Sequence, residues 1–334
     1  MLQDSPDAVT DTDTTAPFPP PSKVAPRHTL RALIASVTVL IVLACALFLA
    51  YLRGEALRGA EEKAASVARL LEEHVNRTFR TADFIVEQVA MLGRSQPMEH
   101  LANSESAWMR LTELKRGMPE PGTLWIIDAK GRSVLGTLTF PVRAASVADR
   151  HYFSAHLEKR RDLVIGPLVN TKQRDAQAFH LSRRIDDDQG TLLGVAVVGF
   201  DAITFTDFYR NLGLTPHSVL TVSGLDGRIV LRQPDPEQWA ETYMPAQGPL
   251  MQAVQAGRTR GILRTVSPLD GVERMLAFRV LPEFGMVVSA GVALDDVLSN
   301  WWDTALLTVT AVLMLMGLLG WLAVAHGGVD AGWQ

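Results

Sequence analysis

Residues 149–156, Asp-Arg-His-Tyr-Phe-Ser-Ala-His, gather an acid, a guanidinium, a phenol, a hydroxyl and two imidazoles, and 178–185, Ala-Phe-His-Leu-Ser-Arg-Arg-Ile, follow within one short interval. Three chemistries compete for such a set. A metal site would need His151 and His156 on one surface, but their i,i+5 spacing points them well apart on a helix, unlike the i,i+4 pair of a zinc helix. Cys45 is the only thiol in the chain and His180 the only other imidazole nearby, so no metal and no cofactor is predicted. Serine hydrolysis would need a nucleophile on a sharp strand-to-helix turn, and neither Ser154 nor Ser182 has that setting, so no catalytic residue is assigned. The third chemistry is ligand binding. Strand alternation places Phe179, Leu181, Arg183 and Ile185 on one face, and an arginine on an apolar face must find an anion. Asp149, Asp201 or a ligand carboxylate or phosphate could supply it, with Arg150 and Tyr152 as further donors. The candidate ligand-binding set is therefore Asp149, Arg150, Tyr152, His180, Arg183 and Asp201. A structural Arg–Asp network holding a sheet to its cap helix explains the same residues equally well, and the two readings remain open.

The elements around this set show a repeated plan. Residues 123–136 and 218–232 each read as a β-rich run, a turn with Gly131 or Gly227 followed by arginine, and a second β-rich run. A further hairpin signal follows each, over 178–201 and 262–292. Ahead of both lies an unbroken helical pattern in which Leu57, Ala60, Ala64, Val67, Leu71, Val75, Phe79, Ala82, Val86 and Val89 keep helical spacing. The predicted fold is α+β: one long helix, then two modules built on antiparallel sheets.

Two uncharged apolar runs, Ala32 to Leu52 and Thr304 to Ala325, bracket this region. Each is long enough, at about 1.5 Å of rise per residue, to cross a hydrocarbon core of about 30 Å. The first is too long and begins too far into the chain for a cleaved signal. Apolar residues beyond Cys45 argue against a lipoprotein cleavage site. Lys23, Arg27 and Arg31 before the first run balance Arg53, Arg58 and Lys63 after it, so charge does not orient the pair. The proline-rich residues 1–28 cannot bury a core and are predicted to be disordered. With 20% charged residues and a formal net charge of −4, the composition excludes a nucleic-acid footprint.

Taken in order, 149–156, 163–170, 179–185, 190–201, 208–214, 225–235 and 268–281 resemble the double Cache (PDC-type) sensor domain of membrane-bound bacterial diguanylate cyclases and sensor histidine kinases. The resemblance covers about residues 55–298. It implies two PAS-like modules outside the inner membrane, both chain ends in the cytoplasm, a small ligand, the lipid bilayer as partner and a homodimer. The expected division is a tail (1–28), a first span (29–52), a stalk helix (53–95), a membrane-distal module (96–205), a membrane-proximal module (206–298), a second span (303–325) and a short tail (326–334). Where amino-acid-binding relatives carry Arg-x-Trp-Tyr, this chain has Asp149-Arg150-His151-Tyr152, and it offers Asn170 where they place an aspartate. Only Tyr152 is kept, so the resemblance does not imply an amino acid as the ligand. Neither a cyclase signature nor a kinase phospho-acceptor helix follows the second run. The expectation is a sensor whose cyclase- or kinase-type output is missing from this chain, working on a small anionic ligand; a membrane-anchored scaffold is the alternative.

Overall fold

The computed structural model describes residues 27–118, 122–143, 145–158, 162–170, 177–202, 209, 212–234 and 236–328. The predicted tails lie almost wholly outside these residues. The chain divides into two compact units, one made of residues 49–305 and the other of 1–48 with 306–334.

The first element is helix α1 (Arg27–Arg94), uninterrupted through the whole predicted stalk. No proline falls within it, and its small and branched apolar residues recur every three to four positions. Ala60, Ala64, Val67, Leu71, Val75, Phe79, Ala82, Val86 and Val89 are all buried, as their spacing predicted, and Leu57 packs at the edge of the same core.

Short helix α2 (Met98–Leu101) and helix α3 (Glu105–Arg116) come next. Ser104 caps α3 by accepting a hydrogen bond from the Ala107 amide at 3.2 Å. The first sheet contains β1 (Gly122–Asp128), β2 (Ser133–Gly136), then, after helix α4 (His151–Glu158), β3 (Leu163–Ile165), β4 (Val169–Asn170), β5 (Gln177–Asp186) and β6 (Leu192–Asp201). Its order is β2-β1-β6-β5-β3, with β4 also on β5, and every pairing is antiparallel. The second sheet contains β7 (Val219–Gly224), β8 (Ile229–Gln233), then, after helix α5 (Pro249–Gln255), β9 (Arg260–Val266), β10 (Glu273–Leu281) and β11 (Met286–Ala293). Its order, β8-β7-β11-β10-β9, is the same plan.

The repeat extends to individual residues. Gly131 (φ +74°) and Gly227 (φ +86°) occupy equivalent turns where a left-handed residue is needed. Each glycine carbonyl accepts from the chain returning to the sheet, Val147 at 2.8 Å and Met244 at 2.7 Å. A Cβ at Gly131 would lie 2.7 Å from Ala148 Cβ, and one at Gly227 would lie 2.7 Å from the Met244 carbonyl. The strand registers also match: Trp125 faces Gly136 and Val197, and Thr221 faces Arg232 and Ser289.

Helix α1 lines the inner face of both sheets, and one continuous core joins all three. Phe79 touches Phe179 of the first sheet (ring centroids 6.0 Å apart) and Phe284 in the turn between β10 and β11 of the second (5.4 Å, edge to face). The chain leaves β11 directly into helix α6 (Leu294–Gly328). This helix begins nine residues ahead of the span expected at 303. Trp301, three residues ahead of the second apolar run, donates to the Leu49 carbonyl at 2.9 Å.

In the second unit the described residues are the start of α1 and the end of α6. Leu40, Leu47, Leu307 and Met314 are exposed there, and both helices are long and apolar enough to cross a membrane. Water is a poor solvent for such a surface, whereas lipid is a good one.

Candidate functional site

The outer face of the first sheet presents every second residue away from α1. On β1 these are Thr123, Trp125 and Ile127; on β6, Val195, Val197, Gly199 and Asp201; on β5, His180, Ser182 and Arg184. Helix α4 covers part of this face. His156 Nε2 lies 2.9 Å from Ser182 Oγ, and Arg184 Nη1 donates to the His156 carbonyl at 2.6 Å. Phe153 packs into the small apolar cluster of Ile127, Val195 and Val197.

Tyr152 and His180, both expected from sequence, meet in this layer. Their rings are 4.6 Å apart, and the Trp125 ring stands 5.8 Å from His180. Gly199 allows this closeness: a Cβ there would lie 2.9 Å from the Trp125 ring and 3.2 Å from His180. Burial, with Arg150 adding to it, drives the His180 pKa down to about 3, so the imidazole is neutral. Burial likewise pushes the Tyr152 phenol up to about 12, where Arg150 pulls it down and Asp149 pushes it up. Arg150 and Asp149 therefore both sit within electrostatic reach of this cluster. Asp201 is buried on the same strand face, two residues beyond Gly199.

Arg183 lies elsewhere. The alternation is as read from sequence, but the inner face it shares with Phe179 and Leu181 is the one against α1. Its anions are Asp83, at 2.5 Å from Nη2, and Glu87, at 3.2 Å from Nε in an ion pair without hydrogen-bond alignment. Neither Asp149 nor Asp201 is its partner. Register equivalence places Arg279 of β10 at the matching position in the second sheet, and Arg279 pairs with Glu72 of the same helix at 3.0 Å. A clamp repeated in both modules is a device of the fold, and it corrects the assumption that Arg183 had only Asp149, Asp201 or a ligand to turn to. The signal was present in the sequence as Asp83 and Glu87, an i,i+4 acidic pair on one helical face.

The two imidazoles of α4 diverge. His151 Nε2 lies 2.7 Å from Arg228 Nη1 in the β7–β8 turn, tying the two modules together, while His156 meets Ser182. The His156–Ser182 contact has the geometry of a nucleophile and its base, yet both residues are fully buried, Ser182 in mid-strand and His156 on the helix that covers it. No substrate can reach that hydroxyl. Trp125 was missed by the sequence reading because, in a β-rich run, it looks like ordinary core.

No curated protein matches the sequence. A family model of dCache type, described as a histidine kinase sensor domain, matches residues 202–291. Among solved structures, the extracellular domain of rpHK1S-Z16, a protein described as a histidine kinase, is 28% identical with a TM-score of 0.61, covering 73% of this chain and 99% of that one. The periplasmic sensory domain of the Campylobacter jejuni chemoreceptor Tlp1 has the same fold at 14% identity and a TM-score of 0.51, over 72% of this chain and 98% of the other. The extracellular domain of a second protein described as a histidine kinase, mmHK1S-Z3, gives 14% and 0.50, over 74% and 98%. With two equivalent antiparallel sheets on one long helix, the chain carries a dCache-like domain similar to the extracellular sensor domain of a protein described as a histidine kinase.

Proposed function

We propose that this chain is the receptor part of a two-pass bacterial inner-membrane signalling protein. Its sensor domain lies in the periplasm, both ends lie in the cytoplasm, and it acts as a homodimer. The division is the expected one, with residues 96–205 as the membrane-distal module and 206–298 as the proximal one, between spans at 29–52 and 303–325. The match to the extracellular domain of rpHK1S-Z16, which takes in almost all of that structure, carries this reading. By the same comparison a histidine-kinase output is favoured over a diguanylate cyclase.

The ligand is a small anion held by the outer layer of the first module, with Arg150 and Tyr152 as donors, His180 and Trp125 as a ring floor, and Asp149 and Asp201 setting the charge around them. The neutral His180 and the un-ionised Tyr152 phenol leave Arg150 as the cation of this cluster. Binding signals only if the ligand prefers one of two receptor states. A thermal-shift screen of carboxylates and phosphate esters on the full chain in detergent tests this. At a hundredfold excess over Kd a ligand stabilises by about 2.7 kcal/mol. Arg150→Ala should remove the shift and Arg183→Ala should keep it. A ligand whose effect survives Arg150→Ala but not Arg183→Ala would reverse the assignment.

A further inference from the structure

The second module has its own cavity, between α5 and the outer face of its sheet, in the position that Tyr152 and His180 fill in the first. Its volume is about 30 Å³, room for roughly two water molecules. Two of its walls are arginines, Arg232 and Arg274, at 3% and 4% exposure. Both lean on one carboxylate: Arg232 Nη2 reaches Asp270 Oδ2 at 2.8 Å, and Arg274 Nη1 reaches Asp270 Oδ1 at 2.7 Å. Arg232 also donates to Thr221 Oγ1 at 3.0 Å and lies over the Trp239 ring at 4.7 Å; Arg274 Nε donates to the His217 carbonyl at 2.8 Å.

The charges do not balance. Among the described residues, two buried guanidinium groups share one carboxylate, which leaves a single positive charge beside a cavity that also presents Ser267 and Ser289. An uncompensated charge in such a place is costly, and each guanidinium has five N–H donors of which two are used here. Burial lowers the Arg232 pKa, whereas Asp270, pushed up by burial, is drawn down to about 2 chiefly by its bonds to Arg274 and Ser267. Asp270 is therefore a carboxylate near neutral pH, so it offsets only one of the two guanidinium charges.

We propose that the cavity of the second module is a binding site for a small monocarboxylate of formate or acetate size, whose single negative charge completes the Arg232–Asp270–Arg274 cluster. The volume sets the size and the excess charge sets the valence. This site is separate from the one proposed in the first module and stands or falls without it.

The test is calorimetric titration of the full chain in detergent with formate, acetate and, as a neutral isostere, acetamide. Formate or acetate should bind and acetamide should not. Arg232→Gln should abolish binding, while Arg110→Gln, at an exposed arginine of α3 that lines neither site, should leave it unchanged. Asp270→Asn removes the competing carboxylate, so affinity should rise roughly tenfold or more, since tenfold is about 1.4 kcal/mol and one charge interaction at about 4 Å lies between about 1 kcal/mol in water and about 4 kcal/mol near a protein surface. A cluster that is only structural predicts no gain there. No binding to the parent chain, equal binding of acetamide, binding that survives Arg232→Gln or is lost in Arg110→Gln, or an Asp270→Asn affinity that is unchanged or weaker would each overturn the proposal. If Arg232→Gln does not fold, Asp270→Asn decides.

Discussion

His180 is an ionisable group held where its charged form cannot be solvated. Its folded-state pKa, about 3, lies below the value near 6.5 that an unfolded histidine has. The unfolded chain therefore binds a proton more readily than the folded one as pH falls. The contribution of His180 to stability is complete above pH 6.5, declines below it, and stops declining only near pH 3. At pH 5 the loss is about 2 kcal/mol. His74 is displaced in the same direction, by burial and then by Arg77, so the parent chain alone does not isolate the effect. The comparison does: His180→Gln should flatten the fall in unfolding free energy between pH 7 and pH 5. Identical pH profiles for parent and variant would show that His180 takes up its proton in the folded state. Which residues would crowd together around it was only half legible. Tyr152, His180 and Arg150 belong to a polar stretch that stands out in an apolar chain, whereas Trp125 becomes a neighbour only through the β1–β6–β5 pairing and the gap at Gly199.

At the scale of elements, the long helix and the two hairpin pairs were plain from spacing and turn residues, because those signals are local. What held the helix to the sheets was not, because it depends on register. Arg183 of β5 and Arg279 of β10 occupy equivalent positions and reach Asp83 with Glu87, and Glu72, at two places along α1. These pairs are partly solvated, so each should contribute less than a fully buried pair, about 1–2 kcal/mol. Arg183→Ala and Arg279→Ala should each lower the melting temperature of the ligand-free chain, by about 2–4 °C per kcal/mol. Their contacts share no residue, so the double variant should show the sum. An Arg183→Ala chain as stable as its parent would remove the clamp and return Arg183 to the list of ligand-facing groups. The sequence left this choice open because alternation fixes which face a side chain takes but not which element packs on that face.

At the scale of the whole chain, the decisive question is which side of the membrane each segment occupies. Two helices of sufficient length and apolarity are present, and their exposed Leu40, Leu47, Leu307 and Met314 are suited to lipid. An even number of crossings puts both ends on one side. The flanking charges do not choose that side, since the positive-inside rule weighs short loops and the region between the spans is long. The orientation therefore rests on kinship with sensor domains found outside the cell. It can be measured directly. A phosphatase that is active only outside the cytoplasm, fused after Asp188 in the exposed β5–β6 turn, should be active, and the same enzyme fused at Gln334 should be silent. A reporter that matures only in the cytoplasm should give the opposite pattern at both sites. Activity of the phosphatase at Gln334 and silence at Asp188 would place the two sheets inside the cell. The Arg150–Tyr152 layer would then face cytoplasmic metabolites, and the periplasmic receptor reading would have to be abandoned.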